Sequence, residues 1–273
     1  MDWTVLPGSR IDRLPLPLQF PALALRNVVR REPYYVFQND GLATAHFSPF
    51  LHDSEWSALY DEMAADWYQL HRMDTRWRMW ILTQAARQAE GLPGTMVEFG
   101  VYRGGCAFMI LATTDRNPLW LFDTYAGIPA SDLSERERQV GLAGRLADTS
   151  VDYVRTKLSR WSSRTHFCPG DVFETLQTEE TGPISLVHMD LNAAAPTRRA
   201  LDYAYRRLVS GGLIVFDDYG DSDYLDQRSE IDAFFTELPE SILAIPTGQA
   251  IVVRQGGSDS KPLPKSLSKY SSG

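Results

Sequence analysis

The segment TMVEFGVYRGG, residues 95–105, has the pattern of a short buried strand that turns through glycines into a helix. Four further apolar runs of strand length follow it, and segments with helical spacing separate them. These runs are LWLFD (119–123), THFC (165–168), ISLVHMD (184–190) and LIVFDD (213–218). Because strands that alternate with helices are joined by right-handed crossovers, the pattern predicts an α/β fold with a mostly parallel sheet.

The helices predicted between and after these strands cover about 104–115, 149–161, 171–179, 197–209 and 225–238. The strands are apolar along their whole length, as expected when helices cover both faces of a sheet. Near the C-terminus, SILAIPTG and QAIVVRQ are joined through Thr247 and Gly248. This spacing predicts a terminal hairpin and at least one antiparallel edge strand.

The region before the sheet divides into an aperiodic segment and two helices. Residues 1–50 show no clear periodicity, which predicts an extended arm that packs against the rest of the chain. Apolar residues then recur at three- and four-residue spacing from Asp53, and again over 75–90, where Gly91 ends the second helix. We therefore expect an N-terminal arm and helix (1–74), a catalytic domain (75–255) and a polar, disordered tail (256–273).

Composition excludes several classes of function. The chain has 273 residues and a net charge of −8, which argues against nucleic-acid binding because that needs a basic surface. No apolar run approaches the roughly 18–20 residues of a membrane span, and prolines interrupt the one segment that resembles a signal core. The 2 cysteines form no disulfide framework, so we expect a cytoplasmic protein.

Acidic residues stand at the end of every predicted strand. In an open parallel sheet, ligands bind at the carboxyl ends of the strands, so an acid at each end indicates a binding edge. The strand ends carry Glu98, Asp123, Asp171, Asp190, and the adjacent pair Asp217 and Asp218.

The first glycine turn favours a cationic ligand over a pyrophosphate. Its pattern, E-x-G-x-x-x-G-G, begins at Glu98 and lacks the G-x-G-x-x-G of dinucleotide sites. S-adenosylmethionine carries an ammonium and a sulfonium, and it has no phosphate. Asp123 is placed to accept hydrogen bonds from its ribose, and Asp171 to accept one from its adenine amine. The alternative is that the glycines only shape a turn and that the acids are solvated.

The acids after the fourth and fifth strands suit a metal. If these two strands are neighbours, Asp190, Asp217 and Asp218 converge, and hard oxygen ligands of this kind suit Mg²⁺. The alternative is that Asp218 caps the following loop. His188 lies on the same face as Asp190, where a satisfied core histidine is commoner than a catalytic base.

Several motifs in order resemble the macrocin O-methyltransferase family, whose members methylate sugar hydroxyls in antibiotic biosynthesis. They are VEFGVYRGG, LFDTYAGIP, ADTSVDYVRTKL, and the stretch from HMDLN to GGLIVFDDYG. The resemblance covers about residues 75–255 and, more weakly, Asp40 and Gly41. A more distant resemblance links the glycine turn and the three aspartates to divalent-metal catechol-type methyltransferases.

The resemblance implies a Rossmann-like class I methyltransferase fold with a seven-stranded sheet, S-adenosylmethionine as the methyl donor and Mg²⁺. By position it implies that the cofactor is held by Glu98, Gly100, Tyr102, Arg103, Gly104, Asp123, Thr124, Asp171, Val172 and Asp190. It implies that the metal is held by Asp190, Asp217 and Asp218. Residues 124–148 would form a lid over the site.

The chain departs from the families that it resembles at Asn192, Ala193, Ala194 and Pro196-Thr197. The sugar enzymes usually have an aspartate where this chain has Asn192, and the catechol-type enzymes keep a lysine where it has Ala193. The general base is therefore not assigned by the motifs. Asp190 is our candidate catalytic residue, and a hydroxide on the metal is the alternative.

We expect Mg²⁺-dependent transfer of a methyl group to a hydroxyl of a small-molecule acceptor. The hydroxyl is expected on a sugar, in a natural product or in a polysaccharide. The alternatives are a phenolic or other non-sugar acceptor, a non-catalytic protein that binds S-adenosylmethionine, and a nucleotide-linked oxidoreductase. We also expect a homodimer or a higher homo-oligomer.

Overall fold

The computed structural model describes residues 37–65 and 73–256. Its strands are β1 (Phe37–Asn39), β2 (Leu42–Thr44), β3 (Thr95–Phe99), β4 (Leu119–Asp123), β5 (Thr165–Pro169), β6 (Ile184–Met189), β7 (Leu208–Phe216), β8 (Leu243–Ala244) and β9 (Ala250–Val253). Its α-helices are α1 (Ser54–Ala64), α2 (Arg76–Glu90), α3 (Gly105–Thr113), α4 (Glu135–Gln139), α5 (Val151–Lys157), α6 (Val172–Thr178), α7 (Ala194–Arg207) and α8 (Leu225–Phe235). The predictions for residues 1–36 and for the tail beyond residue 256 lie outside the described residues.

Seven strands form one sheet in the order β5-β4-β3-β6-β7-β9-β8. The pairs from β5 to β7 are parallel, and β9 is antiparallel to both β7 and β8. The mostly parallel sheet and its antiparallel C-terminal edge confirm the predicted fold class. Because β3 and β6 are neighbours at the centre, chain order reverses between them, and this reversal opens a crevice at their carboxyl ends.

Helices cover both faces of this sheet. One apolar cluster joins α1, α2, α3 and α5 to the sheet, and a second joins α6, α7 and α8 to its other face. Successive residues of β6, Leu186 and Val187, belong to opposite clusters, and both are fully buried. This is why the strands are apolar throughout rather than alternating.

Residues 37–65 pack more closely than an extended arm. In α1, the Asp53 side chain accepts a hydrogen bond from the backbone N–H of Trp56, and the Trp56 indole N–H donates to Thr83 on α2 at 3.0 Å. Before α1, strands β1 and β2 form a hairpin whose turn residues, Asp40 and Gly41, have φ of 51° and 71°. The extended-arm prediction is therefore wrong for residues 37–44, because this turn reverses the chain.

Strand β7 differs most from its predicted limits. It begins at Leu208, within the segment predicted as helix 197–209, and it ends at Phe216. The glycine pair at 211 and 212 lies inside the strand, where the β6–β7 pairing changes register. Asp217 and Asp218 therefore follow the strand, in the loop at the sheet edge.

The other helices match their predictions within a few residues, and α5 is shortened because a separate 3-10 turn covers Ser159–Trp161. Among residues 37–65 and 73–256, no helix has the length and apolar character needed to cross a membrane.

Candidate active site

A cavity of about 360 Å³ opens at the carboxyl ends of the central strands. Except for Gly104, every residue predicted to bind the cofactor or the metal lines this cavity. Gly104 instead packs beneath α5, where a Cβ would lie 2.8 Å from a methyl of Val154. The structure thus brings the predicted cofactor residues and the three aspartates into one space.

Gly100 lies where the carboxyl end of β3 meets that of β6. It has a φ of 87°, and a Cβ at this position would lie 1.9 Å from the backbone oxygen of Asp190. The backbone N–H of Asp190 donates to Phe99 at 2.8 Å, so the ends of β3 and β6 are in direct contact. Only glycine allows this approach, since any side chain would collide with the backbone of Asp190.

Asp123 organises the glycine turn. One of its carboxylate oxygens accepts from the backbone N–H groups of Val101 and Tyr102 at 2.6 and 2.8 Å. The other oxygen accepts from the backbone N–H of Tyr125 at 2.6 Å. A carboxylate oxygen has two lone pairs, so these bonds leave acceptor capacity toward the cavity that the residue lines.

The lid segment, residues 124–148, is tied to the glycine turn at its far end. The Tyr102 hydroxyl donates to the Asp148 carboxylate at 2.7 Å, and Arg103 donates to the Asp148 carbonyl at 3.0 Å. The Thr149 hydroxyl donates to the Tyr102 carbonyl at 2.7 Å. Burial and the bond to Asp148 raise the pKa of Tyr102, so its hydroxyl remains a donor.

Asp171 and Thr124 have local structural partners. The Asp171 side chain accepts from the backbone N–H of Phe173 at 2.8 Å and so caps α6. The Thr124 hydroxyl donates to the carbonyl of Gly127 at 2.8 Å within the lid segment. Both residues also line the cavity, as does Val172 beside Asp171.

Glu98 is fully buried beside the glycine turn, and one of its oxygens has no hydrogen-bond partner within the described residues. The other oxygen lies 3.3 Å from Nδ1 of His188. Burial raises the pKa of Glu98 despite the neighbouring imidazole. An unpartnered buried carboxylate oxygen on a cavity wall is a site for a hydrogen-bond donor or a cation.

His188 lies between two acids. Its Nδ1 faces Glu98, and its Nε2 lies 3.7 Å from the Asp217 carboxylate. Burial alone would lower its pKa, but the bonds and charges of Asp217 and Glu98 outweigh burial and raise it to about 10. The residue is buried as the sequence predicted, and it serves as a positive partner for the two acids.

The acidic corner, formed by Asp190, Asp217 and Asp218, is compensated by an arginine from α2. One guanidinium nitrogen of Arg78 lies 2.9 Å from Asp217 and 2.7 Å from Asp218. The Nε of the same arginine lies 2.8 Å from Asp40, at the tip of the β1–β2 hairpin. Arg78 is thus the positive group that faces the adjacent aspartate pair.

Two amide side chains complete the acidic corner. Asn192 donates to Asp190 at 3.0 Å and to Asp218 at 2.5 Å. Gln249, the residue before β9, donates to Asp217 at 2.8 Å. Asn192, which stands where the resemblance would place an aspartate, therefore contacts two of the three aspartates.

The three aspartates differ in their protonation. Burial and the charges of the other two raise the pKa of Asp190 well above its ordinary value. Burial followed by the charge of Asp217 raises the pKa of Asp218 to about 6. Burial also acts on Asp217, but His188 and Arg78 outweigh it and hold the pKa of Asp217 below its usual range. Close carboxylates of like charge resist ionising together.

The donor set of this corner fits a hard divalent cation. Within the described residues, His188, Asp190 and Asp217 each place one possible ligand atom within 4.8 Å of the others, and Asp218 is not in this group. Because the raised pKa keeps His188 protonated, the oxygens of the aspartates are the available ligands.

Sequence reasoning missed Arg78 and Asp40. A signal for Arg78 was present, because it lies four and eight residues before Leu82 and Ala86 and so shares their buried helical face. A signal for Asp40 was present in the Asn-Asp-Gly sequence, which is typical of a two-residue hairpin turn.

The seven-stranded sheet with its glycine turn has the class I methyltransferase fold. The solved O-methyltransferase NovP superposes with a TM-score of 0.66 at 19% identity, covering 75% of this chain and 99% of NovP. The calicheamicin methyltransferase CalS11 superposes with a TM-score of 0.58 at 20% identity, covering 76% of this chain and 94% of CalS11. At these identities the likeness establishes the fold.

The family model described as macrocin O-methyltransferase matches residues 43–236, and the chain belongs to this family. It is an S-adenosylmethionine-dependent O-methyltransferase, as the motifs predicted. This membership sets aside the oxidoreductase and the non-catalytic alternatives.

Curated relatives extend the comparison. A tetracenomycin 4′-O-methyltransferase of Streptomyces olivaceus, whose name includes a dimethoxy-rhamnosyl group, is 28% identical over 76% of this chain and 81% of its own length. The mycinamicin III 3″-O-methyltransferase of Micromonospora griseorubida is 31% identical over 48% of this chain and 57% of its own length. The demethyldecarbamoylnovobiocin O-methyltransferase of Streptomyces niveus is 29% identical over 64% of this chain and 73% of its own length.

Proposed function

We propose that this enzyme methylates a hydroxyl on the sugar of a glycoside and that Mg²⁺ held by the acidic corner assists the reaction. The observation that carries the proposal is the contact between Gly100 and the backbone of Asp190, which sets the acidic corner directly beside the cofactor turn. The names of the tetracenomycin and mycinamicin relatives support a natural-product acceptor.

The cofactor would lie along the glycine turn. The unpartnered oxygen of buried Glu98 suits the ammonium or sulfonium end of S-adenosylmethionine. The spare lone pair of Asp123 suits a ribose hydroxyl, and Val172 adds an apolar wall beside Asp171, the expected partner of the adenine amine. Tyr102 and Arg103 would hold the end of the lid segment in place, which limits water near the reacting groups.

Asp190, Asp217 and Asp218 would hold the metal. A divalent cation bound there supplies a positive charge that lowers the pKa of an acceptor hydroxyl. Burial and mutual repulsion raise the pKa of Asp190 and of Asp218, and a bound cation would relieve that repulsion.

Asp190 would accept the proton from the acceptor hydroxyl. Asn192 orients this carboxylate through a 3.0 Å hydrogen bond to one of its oxygens. Leu191, Pro196 and Tyr224 line the cavity on this side and would pack against the face of a sugar.

The test is product mass analysis after incubation with a labelled methyl donor. The acceptors are a panel of deoxysugar glycosides, nucleotide-linked sugars and phenols. We expect label on the sugar of a glycoside. Label confined to phenols would contradict the sugar assignment while leaving the methyltransferase intact.

The same assay tests the metal when it is run after EDTA treatment. We expect activity to fall to background, to return with Mg²⁺ and to return poorly with Ca²⁺, whose larger and looser shell positions an oxygen less well. Full activity in the metal-free protein would contradict the proposed role of the acidic corner. Binding of S-adenosylhomocysteine, measured by calorimetry in EDTA, serves as the control for an intact cofactor site.

A further inference from the structure

Arg78 occupies the oxygens that a metal would need. A single guanidinium nitrogen of this residue contacts one oxygen of Asp217 and one oxygen of Asp218, at 2.9 and 2.7 Å. The guanidinium is always charged, and the Arg78 side chain is only 14% exposed, so solvent screens it little. A fixed positive charge in hydrogen-bond contact with two ligand oxygens opposes a second cation at the same place.

The contacts of Asp218 explain why it stands apart from the other possible ligands. Its two oxygens are held by Arg78 at 2.7 Å and by Asn192 at 2.5 Å. Among the described residues, the group with ligand atoms within 4.8 Å of one another includes Asp190 and Asp217 but not Asp218. Arg78 links Asp218 to Asp217, and Asn192 links it to Asp190, so both oxygens of Asp218 already have protein partners.

Asp40 gives the arginine a second partner. Its carboxylate lies 2.8 Å from Nε of Arg78, whereas Asp217 and Asp218 contact a different guanidinium nitrogen, and its side chain is 7% exposed. Release of the guanidinium from Asp217 and Asp218 would not leave a buried, unpaired charge, because the ion pair with Asp40 can persist.

We propose that Arg78 is a built-in competitor of the divalent cation, which binds only when the guanidinium leaves Asp217 and Asp218 and stays paired with Asp40. This inference rests on the metal role proposed above. In the metal-free enzyme, Arg78 takes the place of the cation and keeps the corner folded. Metal affinity is then set by the balance between the cation and Arg78, as well as by the three ligands.

The experiment is titration of the full-length, metal-free protein with Mn²⁺, followed by the electron paramagnetic resonance signal of free Mn²⁺. Arg78→Gln removes the competing charge and should bind Mn²⁺ roughly tenfold or more tightly than the parent. The matched control is Arg76→Gln, two residues earlier on α2. Arg76 pairs with Asp61 and Asp74 and does not line the cavity, so its variant should bind Mn²⁺ as the parent does.

Asp40→Asn supplies an independent test in the opposite direction. Without Asp40, Arg78 has no second partner and pairs more strongly with the aspartate pair. The variant should therefore bind Mn²⁺ severalfold more weakly than the parent does. Should Arg78→Gln fail to fold, as judged by its melting curve, the result for Asp40→Asn decides.

The outcomes separate this inference from the metal role itself. Equal or weaker Mn²⁺ binding by folded Arg78→Gln, or equal or tighter binding by Asp40→Asn, overturns the competition while the metal site stands. Absence of Mn²⁺ binding in the parent and in folded Arg78→Gln overturns both proposals. Tight binding only in Arg78→Gln supports the competition most strongly.

Discussion

The carboxylates at the two ends of the cavity have different kinds of hydrogen-bond partner. At the cofactor end, Asp123 and Asp171 accept hydrogen bonds from the backbone N–H groups of nearby turns. At the acidic corner, Asp217 and Asp218 depend on the side chain of Arg78, which is 139 and 140 residues away in sequence.

This difference determines how each end of the cavity responds when the partners of its acids move. Acids held by backbone groups shape a turn, so their surroundings are as rigid as the turn itself. Asp217 and Asp218 share one long side chain, and both lose their charged partner when that side chain moves. The cofactor end is therefore preformed, while the acidic corner is the part that the proposed cation would rearrange.

The largest expected effect comes from breaking the contact that joins the two ends. Gly100→Ala places a Cβ 1.9 Å from the backbone oxygen of Asp190, so β3 and β6 must separate. We expect the free energy of unfolding to fall by about 4 kcal/mol or more, with loss of S-adenosylhomocysteine binding. Chemical denaturation and calorimetry measure the two quantities.

Gly182→Ala is the control for Gly100→Ala. Gly182 also has a positive φ, 70°, but a Cβ there meets nothing within 4 Å. This variant should lose only about 1–2 kcal/mol of the free energy of unfolding, because alanine is strained at a positive φ, and ligand binding should stay intact. Similar losses in both variants would show that the contact with Asp190 is not what makes Gly100 essential.

A smaller effect sharpens the contrast between the two kinds of acid. The pKa of Asp218 is raised to about 6, above that of an unfolded aspartate, so its charged form destabilises the folded state at neutral pH. Asp218→Asn should therefore stabilise the metal-free protein by about 1–3 kcal/mol at pH 7.5. The gain should fade as the pH falls from about 7 to about 4, because the parent carboxyl then protonates.

The same substitution at the cofactor end provides the control. Asparagine caps a helix as well as aspartate does, so Asp171→Asn should change the stability by less than about 0.5 kcal/mol. Denaturation in EDTA across this pH range measures both variants. A gain for Asp218→Asn that is absent at pH 7.5, or that persists at pH 4, would contradict the proposed charge strain.

The smallest effect concerns the lid segment. Tyr102→Phe removes the 2.7 Å hydrogen bond to Asp148 and keeps the ring, so we expect a loss of about 0.5–1.5 kcal/mol, confined to the lid segment. Trypsin should then cleave at Arg136, Arg138 or Arg145 severalfold faster, and bound S-adenosylhomocysteine should protect the parent better than the variant. Equal cleavage rates in the two proteins would show that this bond does not hold the segment.

The sequence predicted the sheet well because its evidence is local. Each apolar run of four to seven residues lies between glycines or helical segments, and five such runs became neighbouring strands. Their acids met at one edge because parallel strands end on the same side of a sheet. The predicted start of β7 was wrong because a glycine pair usually indicates a turn. Here the pair lies within the strand, at a change of register.

The acidic corner was predicted only in part, because its contacts join residues that are distant in sequence. Its three aspartates follow from strand ends, but their partners Arg78, Asn192 and Gln249 come from three separate segments. A long-range ion pair leaves no periodic signal. The one local clue was a charged residue on the buried face of α2.

The hairpin tip at Asp40 also limits how far the chain can be shortened. A fragment that begins at residue 75 would retain the whole seven-stranded sheet and every acid at its edge. It would lose both Asp40, the second partner of Arg78, and Trp56, which donates to Thr83. Such a fragment would carry a differently charged catalytic centre, and its activity would not represent that of the intact enzyme.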